Sequence, residues 1–232
     1  YYETADFDEY DNAFSFPKES AVGQDDLIYS RNGANVTVYN SRGYSYLNYF
    51  ATGDNANHGM QAVKRFRHTY TAEDKSAVLS FTARAAEKSE RRIWFKNGNG
   101  TDLYFTMKLD ADFEFSGTKN NAKVYITAFD YDDGEMHDFK FVFDLENGYV
   151  KLYFDGELAA ENIALKSGFE LYEARFSSAV RASGWNIENI EASNDESLMP
   201  GTVKAEYSND MLALSANGDC EIKYALGADR AA

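Results

Sequence analysis

The chain has 232 residues, 44% hydrophobic and 26% charged, with 38 acidic against 23 basic side chains and a formal net charge of −15. That balance excludes wholesale disorder, and it excludes partners that are themselves polyanions, namely nucleic acid and anionic membrane surfaces. The single cysteine, Cys220, excludes an internal disulfide framework and a Cys-based zinc site, and no apolar run reaches the roughly 20 residues of a membrane span.

The chain opens Tyr1-Tyr2-Glu3-Thr4 without a Met, which reads as an excised or processed piece, and any signal peptide would lie outside it. Tyr and Phe dominate the aromatic residues, and both favour half-buried pleated surfaces. In chain order, Asp6–Tyr10 predicts a short strand. Leu27–Arg31 and Asn35–Tyr39 predict a hairpin about Asn32-Gly33, a dipeptide that readily adopts positive φ. Tyr44–Phe50 is a strand, and Gly53–Gly59 is a polar loop. Met60–Phe66, Val78–Ala83 and Arg91–Phe95 follow as strands, with Ala85–Glu90 as a short connection of helical character. Leu103–Met107, Phe113–Ser116 and Lys123–Phe129 come next.

Phe139, Phe141 and Phe143 then alternate with Lys140, Val142 and Asp144, the period of a strand with one buried face. Asn147-Gly148 and Asp155-Gly156 predict two-residue turns on either side of Tyr149–Phe154, giving a three-strand meander that ends in Glu157–Ile163. Glu170–Phe176 and Trp185–Ala192 complete the pattern. Strands at this spacing without intervening helices predict an all-β antiparallel sandwich over residues 1–193. Residues 194–201 read as a linker. Residues 202–232 carry about three weak strands, at Val203–Tyr207, Met211–Ser215 and Glu221–Tyr224, which either pack on the sandwich or begin another domain.

The segment Asp138–Ala160, and Leu152-Tyr153-Phe154-Asp155-Gly156 within it, resembles the central meander of concanavalin-like (laminin-G-like) jelly rolls. Trp185–Glu191 is similar to the closing strand of that family and is expected to pair near Phe7. The resemblance spans roughly residues 75–192. It implies the fold and an extracellular carbohydrate-active protein of several domains, bacterial in type. It does not imply one activity, because the fold hosts lectins, binding modules, glycosidases and lyases.

Four sets of residues could carry chemistry. Asp110, Asp112 and Glu114 are the nearest approach to paired glycosidase carboxylates, but they lack the Glu-x-Asp-x-x-Glu spacing of jelly-roll hydrolases and read better as an acidic turn. His58, Gln61 and Arg65, with Arg67 and His68 nearby, are the residue types of a polysaccharide lyase, in which a base works beside a group that neutralises a uronate. Asp130, Asp132, Asp133 and Glu135 surround Gly134 with hard oxygens and would suit a structural calcium; Asp6, Asp8 and Asp11 are a second acidic set. Finally, Tyr149, Lys151 and Tyr153 point away from the expected core, and with Trp94, Tyr44 and Tyr46 they form the candidate sugar-stacking surface. The leading expectation is a non-catalytic carbohydrate-binding module for a polysaccharide or oligosaccharide, with neither nucleic acid nor membrane insertion. The alternatives are a lyase or glycoside hydrolase on the same fold and a structural or adhesin domain.

Overall fold

The computed structural model describes residues 1–25, 27–41, 44–51, 58–85, 89–97, 99–108, 112–126, 134–179, 184–198, 202–208 and 211–217. The strands are β1 (Tyr2–Ala5), β2 (Ile28–Arg31), β3 (Asn35–Ser41), β4 (Tyr44–Phe50), β5 (Gln61–Tyr70), β6 (Ser76–Ala85), β7 (Arg91–Lys96), β8 (Leu103–Met107) and β9 (Phe113–Ser116). They continue as β10 (Val124–Ile126), β11 (His137–Asp144), β12 (Tyr149–Phe154), β13 (Glu157–Ala164), β14 (Leu171–Ser178), β15 (Gly184–Ser193), β16 (Thr202–Ser208) and β17 (Met211–Asn217). Only single 3-10 turns interrupt them among the described residues.

Two antiparallel sheets face each other. One has eight strands in the order β13-β12-β11-β6-β15-β4-β3, with β1 paired to the second half of β15; the other has seven, β10-β9-β8-β7-β14-β5-β2. Strands adjacent in sequence repeatedly sit in opposite sheets, as β5/β6 and β14/β15 do, which is jelly-roll winding. The core between the sheets is rich in phenylalanine. Phe81, Phe139, Phe141 and Phe143 of one sheet meet Phe95, Phe105, Phe113, Phe115 and Phe176 of the other, many edge to face. Phe154 joins them from β12 by packing on Phe113 and Phe139.

The meander β11-β12-β13 forms with its expected faces. Its first turn differs from the two-residue expectation. Asp155 and Gly156 both take positive φ, but at Asn147-Gly148 only Gly148 does. That connection runs over four residues because Leu145 turns inward to the core, while Asp144 accepts a hydrogen bond from the Asn147 amide at 2.9 Å.

Two expectations are corrected. The first is the hairpin about Asn32-Gly33. The chain does reverse there, and both residues have positive φ, but β2 pairs with β5 and β3 pairs with β4, in different sheets. The turn carries the chain across the sandwich, so Ile28 and Val36 reach one core from opposite sides. The second is the N-terminal strand, which is Tyr2–Ala5 rather than Asp6–Tyr10. It does pair with the closing strand β15, and Phe7 follows as a fully buried plug. Residues 194–198 are bound to the sandwich: Ser76 donates to the Asn194 carbonyl at 2.9 Å, and Asn194 donates to Asp74 at 3.2 Å. Beyond them β16 and β17 form a hairpin of their own. The third tail strand, Glu221–Tyr224, lies outside the described residues.

Candidate functional site

Alternation places one set of side chains on the outer face of the seven-stranded sheet, and the strand register arranges them in rows. One row runs Tyr29, Val63, Arg175, Trp94, Tyr104, Ser116 from β2 to β9. The next runs Arg31, Gln61, Ser177, Arg92, Thr106, Glu114, Tyr125, ending on β10. A third holds Arg65, Glu173 and Lys96. Outer faces of sandwiches are normally solvated. Here Gln61, Val63, Thr106, Glu114, Glu173, Arg175 and Ser177 are buried beneath taller neighbours.

The floor is held by charge pairing. Arg175 donates from two nitrogens to Glu173 Oε1, and Tyr29 donates its hydroxyl to Glu173 Oε2 at 3.0 Å. Burial and the neighbouring Glu173 charge push the Tyr29 phenol up to about 12. Lys96 pairs with Asp102 at 2.7 Å, and Arg92 donates to Thr106 at 3.1 Å. The aromatic part is Trp94, packed edge-on to Tyr104 with ring centroids 5.1 Å apart, and Arg92 sits 5.9 Å from the Tyr104 ring centroid. Both rings are half-buried. Gly117 permits this packing: its φ is +75°, and a Cβ there would lie 2.9 Å from the Tyr104 ring and 2.5 Å from the Asp102 carbonyl.

This face also holds unsatisfied polar atoms. Trp94 Nε1, Gln61 Oε1, Arg31 Nε, Arg65 Nε and Asp102 Oδ1 are buried and have no hydrogen-bond partner in the protein, although Arg31 Nε lies within ion-pair distance of Glu19. Buried polar groups are paired as a rule, and each exception costs about 1–3 kcal/mol.

The sequence candidates divide between the two outer faces. Gln61, Val63 and Arg65 share the seven-stranded face, as alternation predicts, and Trp94 joins them. His58 sits beside it, but both ring nitrogens are occupied: Nδ1 lies 3.1 Å from Ser177 Oγ and Nε2 lies 3.0 Å from Glu90. Ser177 also donates to the Arg92 carbonyl at 3.1 Å. Burial first, then the Arg92 charge, hold the His58 imidazole below its ordinary range. A buried, fully engaged histidine and a tyrosine pushed towards permanent protonation are poorly arranged for proton abstraction. His68 faces elsewhere, paired with Asp74 at 2.9 Å and stacked on Tyr1, and Arg67 is exposed. Of the Asp110-Asp112-Glu114 set, Glu114 is buried and pairs with Lys123 at 3.3 Å, while Asp110 lies outside the described residues.

Tyr149, Lys151 and Tyr153 lie on the outer face of the eight-stranded sheet, with Lys140 5.7 Å from the Tyr153 ring centroid. Tyr149 also lines a depression of approximately 340 Å³ with Leu145, Leu165 and Phe169. Tyr46 is on the same outer face, across from Tyr39, and the side chain of Tyr44 lies outside the described residues. The fold therefore puts Trp94 on one side of the sandwich and this tyrosine set on the other. Asp130, Asp132 and Asp133 lie outside the described residues, and Glu135 is exposed. Among the described residues no three His, Cys, Asp or Glu side chains converge to hold a metal, Asp6, Asp8 and Asp11 included. No described helix is long and apolar enough to cross a membrane.

Sequence reasoning missed Tyr29, Arg92, Tyr104, Glu173 and Arg175. The available signal was polar alternation on two strands, Arg92-x-Trp94-x-Lys96 and Glu173-x-Arg175-x-Ser177, in which an aromatic ring and opposite charges share one face.

No family model and no curated protein sequence matches the chain. Solved structures do. A sialidase superposes with a TM-score of 0.56 at 14% identity, covering 80% of this chain and 19% of the sialidase. The binding domain of botulinum neurotoxin DC, in complex with rat synaptotagmin II, superposes with a TM-score of 0.53 at 13% identity over 79% of this chain and 48% of its own. The same toxin domain in complex with SialylT gives 0.52 at 13% identity, with 47% of its chain covered. The chain thus spans about a fifth of the sialidase and about half of the toxin domain. These likenesses, with the two antiparallel sheets and their winding, establish that the chain folds as a concanavalin-like jelly-roll β-sandwich.

Proposed function

We propose that the chain is a non-catalytic carbohydrate-binding module and that its sugar lies across the outer face of the seven-stranded sheet, against Trp94 and Tyr104. One observation carries the reading. On that face two half-exposed aromatic rings stand beside buried, unpartnered donors and acceptors: Trp94 Nε1, Gln61 Oε1 and Asp102 Oδ1. Sugars present apolar C–H faces for rings and hydroxyls for such groups, and ligand sites combine an apolar surface with a few placed polar groups in this way. The occupied nitrogens of His58 support a binding role over catalysis. The sialidase and toxin chains, both longer than the matched region, support an extracellular module within a larger protein.

Affinity electrophoresis against a panel of plant and microbial polysaccharides tests the reading. Retarded migration on at least one glycan is expected, and Trp94→Ala should weaken it about tenfold or more, since stacked aromatic contacts dominate such interfaces. A Tyr149→Ala/Tyr153→Ala double variant should migrate like the parent. Unretarded migration on every glycan sinks the proposal, and loss of binding in the tyrosine double variant alone moves the site to the other face.

A further inference from the structure

The seven-stranded face carries a second feature two strands from Trp94, roughly 10 Å away by inter-strand spacing. Arg65 projects from β5 in the row of Glu173 and Lys96. Its guanidinium lies 5.1 Å from the Tyr29 ring centroid and 5.8 Å from that of Tyr172, and Nη2 donates to the Tyr29 hydroxyl at 3.3 Å. Nε is buried and has no partner. Every other cation of the three rows given above is paired with a carboxylate. Arg31 has Glu19 at 3.2 Å, Arg92 has Glu90 at 3.6 Å, Lys96 has Asp102 at 2.7 Å, and Arg175 has Glu173. Arg65 has no carboxylate within ion-pair distance among the described residues.

Scarcity of acid does not explain this. The chain has 38 acidic side chains against 23 basic ones. Glu173 lies directly across the register from Arg65, yet its two oxygens are taken by Arg175 and Tyr29. The phenol stands between the two charges, accepting from Arg65 and donating to Glu173. The two rings flank the guanidinium and Nη2 is held by the Tyr29 hydroxyl, while Nη1 makes no hydrogen bond among the described residues. A planar fork held in place, charged and unpaired, suits two-pronged recognition of a carboxylate or a sulfate.

We infer that Arg65 reads charge on the ligand: the site takes a saccharide bearing a carboxylate or a sulfate ester, with the anionic group on Arg65 and a neighbouring sugar ring on Trp94. This rests on the carbohydrate reading given above and adds the substrate class. Arg65 acts here as a binding residue, with no part in bond making.

The test compares polymers that differ only in charge. Polygalacturonate is paired with its methyl ester, and a sulfated galactan with its desulfated form, each titrated calorimetrically into the intact chain. One acidic polymer should bind at least about tenfold more tightly than its neutral partner, the usual worth of a charge-assisted contact. Which pair shows the difference identifies uronate or sulfate. Arg65→Gln should remove that preference, weakening the charged form far more than the neutral one, and Arg65→Lys should keep part of it. Equal affinity for charged and neutral forms overturns the inference while leaving the module's carbohydrate role standing, provided that Trp94→Ala still weakens binding about tenfold or more. Equal weakening of both forms by Arg65→Gln also overturns it. Binding to no polymer at all overturns the parent reading instead. If Arg65→Gln fails to fold, the comparison of esterified with free polymer on the unaltered chain still decides.

Discussion

Removing the negative partner of the buried ion pair, by Glu173→Gln, should be among the most damaging single changes on the seven-stranded sheet. Glu173 and Arg175 are two residues apart on β14, 4% and 7% exposed, and their contact is made at one carboxylate oxygen while Tyr29 serves the other. Neutralising Glu173 leaves the Arg175 charge buried and uncompensated, which costs about 3–5 kcal/mol. For a domain of this size each kcal/mol moves the melting temperature by about 2–4 °C, so a fall of roughly 6–20 °C is expected. Arg175→Met should cost a similar amount for the mirrored reason. Replacing both, Glu173→Leu with Arg175→Met, removes the desolvation penalty together with the attraction and should cost less than either single change. Recovery should stop short of the parent, because the Tyr29 hydroxyl loses its acceptor, a deficit of about 1–3 kcal/mol. Urea unfolding of the parent, Glu173→Leu, Arg175→Met and the double variant gives the cycle directly, with Glu173→Gln as the isosteric single change. If both single variants lose under about 1 kcal/mol, or if their losses simply add in the double variant, the pair is not a coupled buried charge and the account of the floor fails.

Two further outcomes bear on the same face. His58 is held below its ordinary range by burial, so between an unfolded value of about 6.5 and the lower folded value the unfolded chain binds more protons; stability should fall as pH drops through that window. Thermal melts from pH 8 to 5 should therefore fall more steeply for the parent than for His58→Gln, and parallel curves would show that the His58–Glu90–Ser177 contact has no such linkage. Gly117→Ala places a Cβ against the Asp102 carbonyl and the Tyr104 ring at positive φ, so it should destabilise by about 1 kcal/mol or more and weaken glycan binding by displacing Tyr104; unchanged affinity would remove Tyr104 from the site.

The strands were largely legible because their signals are local. Phe139, Phe141 and Phe143 declare a buried face by alternation alone, and Asp155-Gly156 declares a turn because both residues tolerate positive φ. Partnership is a different kind of information. Asn32-Gly33 reverses the chain just as Asp155-Gly156 does, yet one joins neighbours in a sheet and the other joins strands in opposite sheets. The choice is made by β4 and β5, which outcompete the local pairing from further along the chain. The site inherits the same limit. Trp94 and the pair Tyr149/Tyr153 each read correctly as outward, and nothing in a period of two tells which sheet owns a strand. Only the assembled order β8-β7-β14-β5-β2 sets Trp94 between Tyr104 and Arg175 and leaves Arg65 two strands away, with Glu173 between them already committed. What distinguishes a binding face from a solvated one is therefore a property of rows across strands. A charge run along one strand is ordinary; a set of neighbouring rows in which every cation but one has its carboxylate is not, and those rows come into being only when four segments, β2, β5, β14 and β7, are laid side by side.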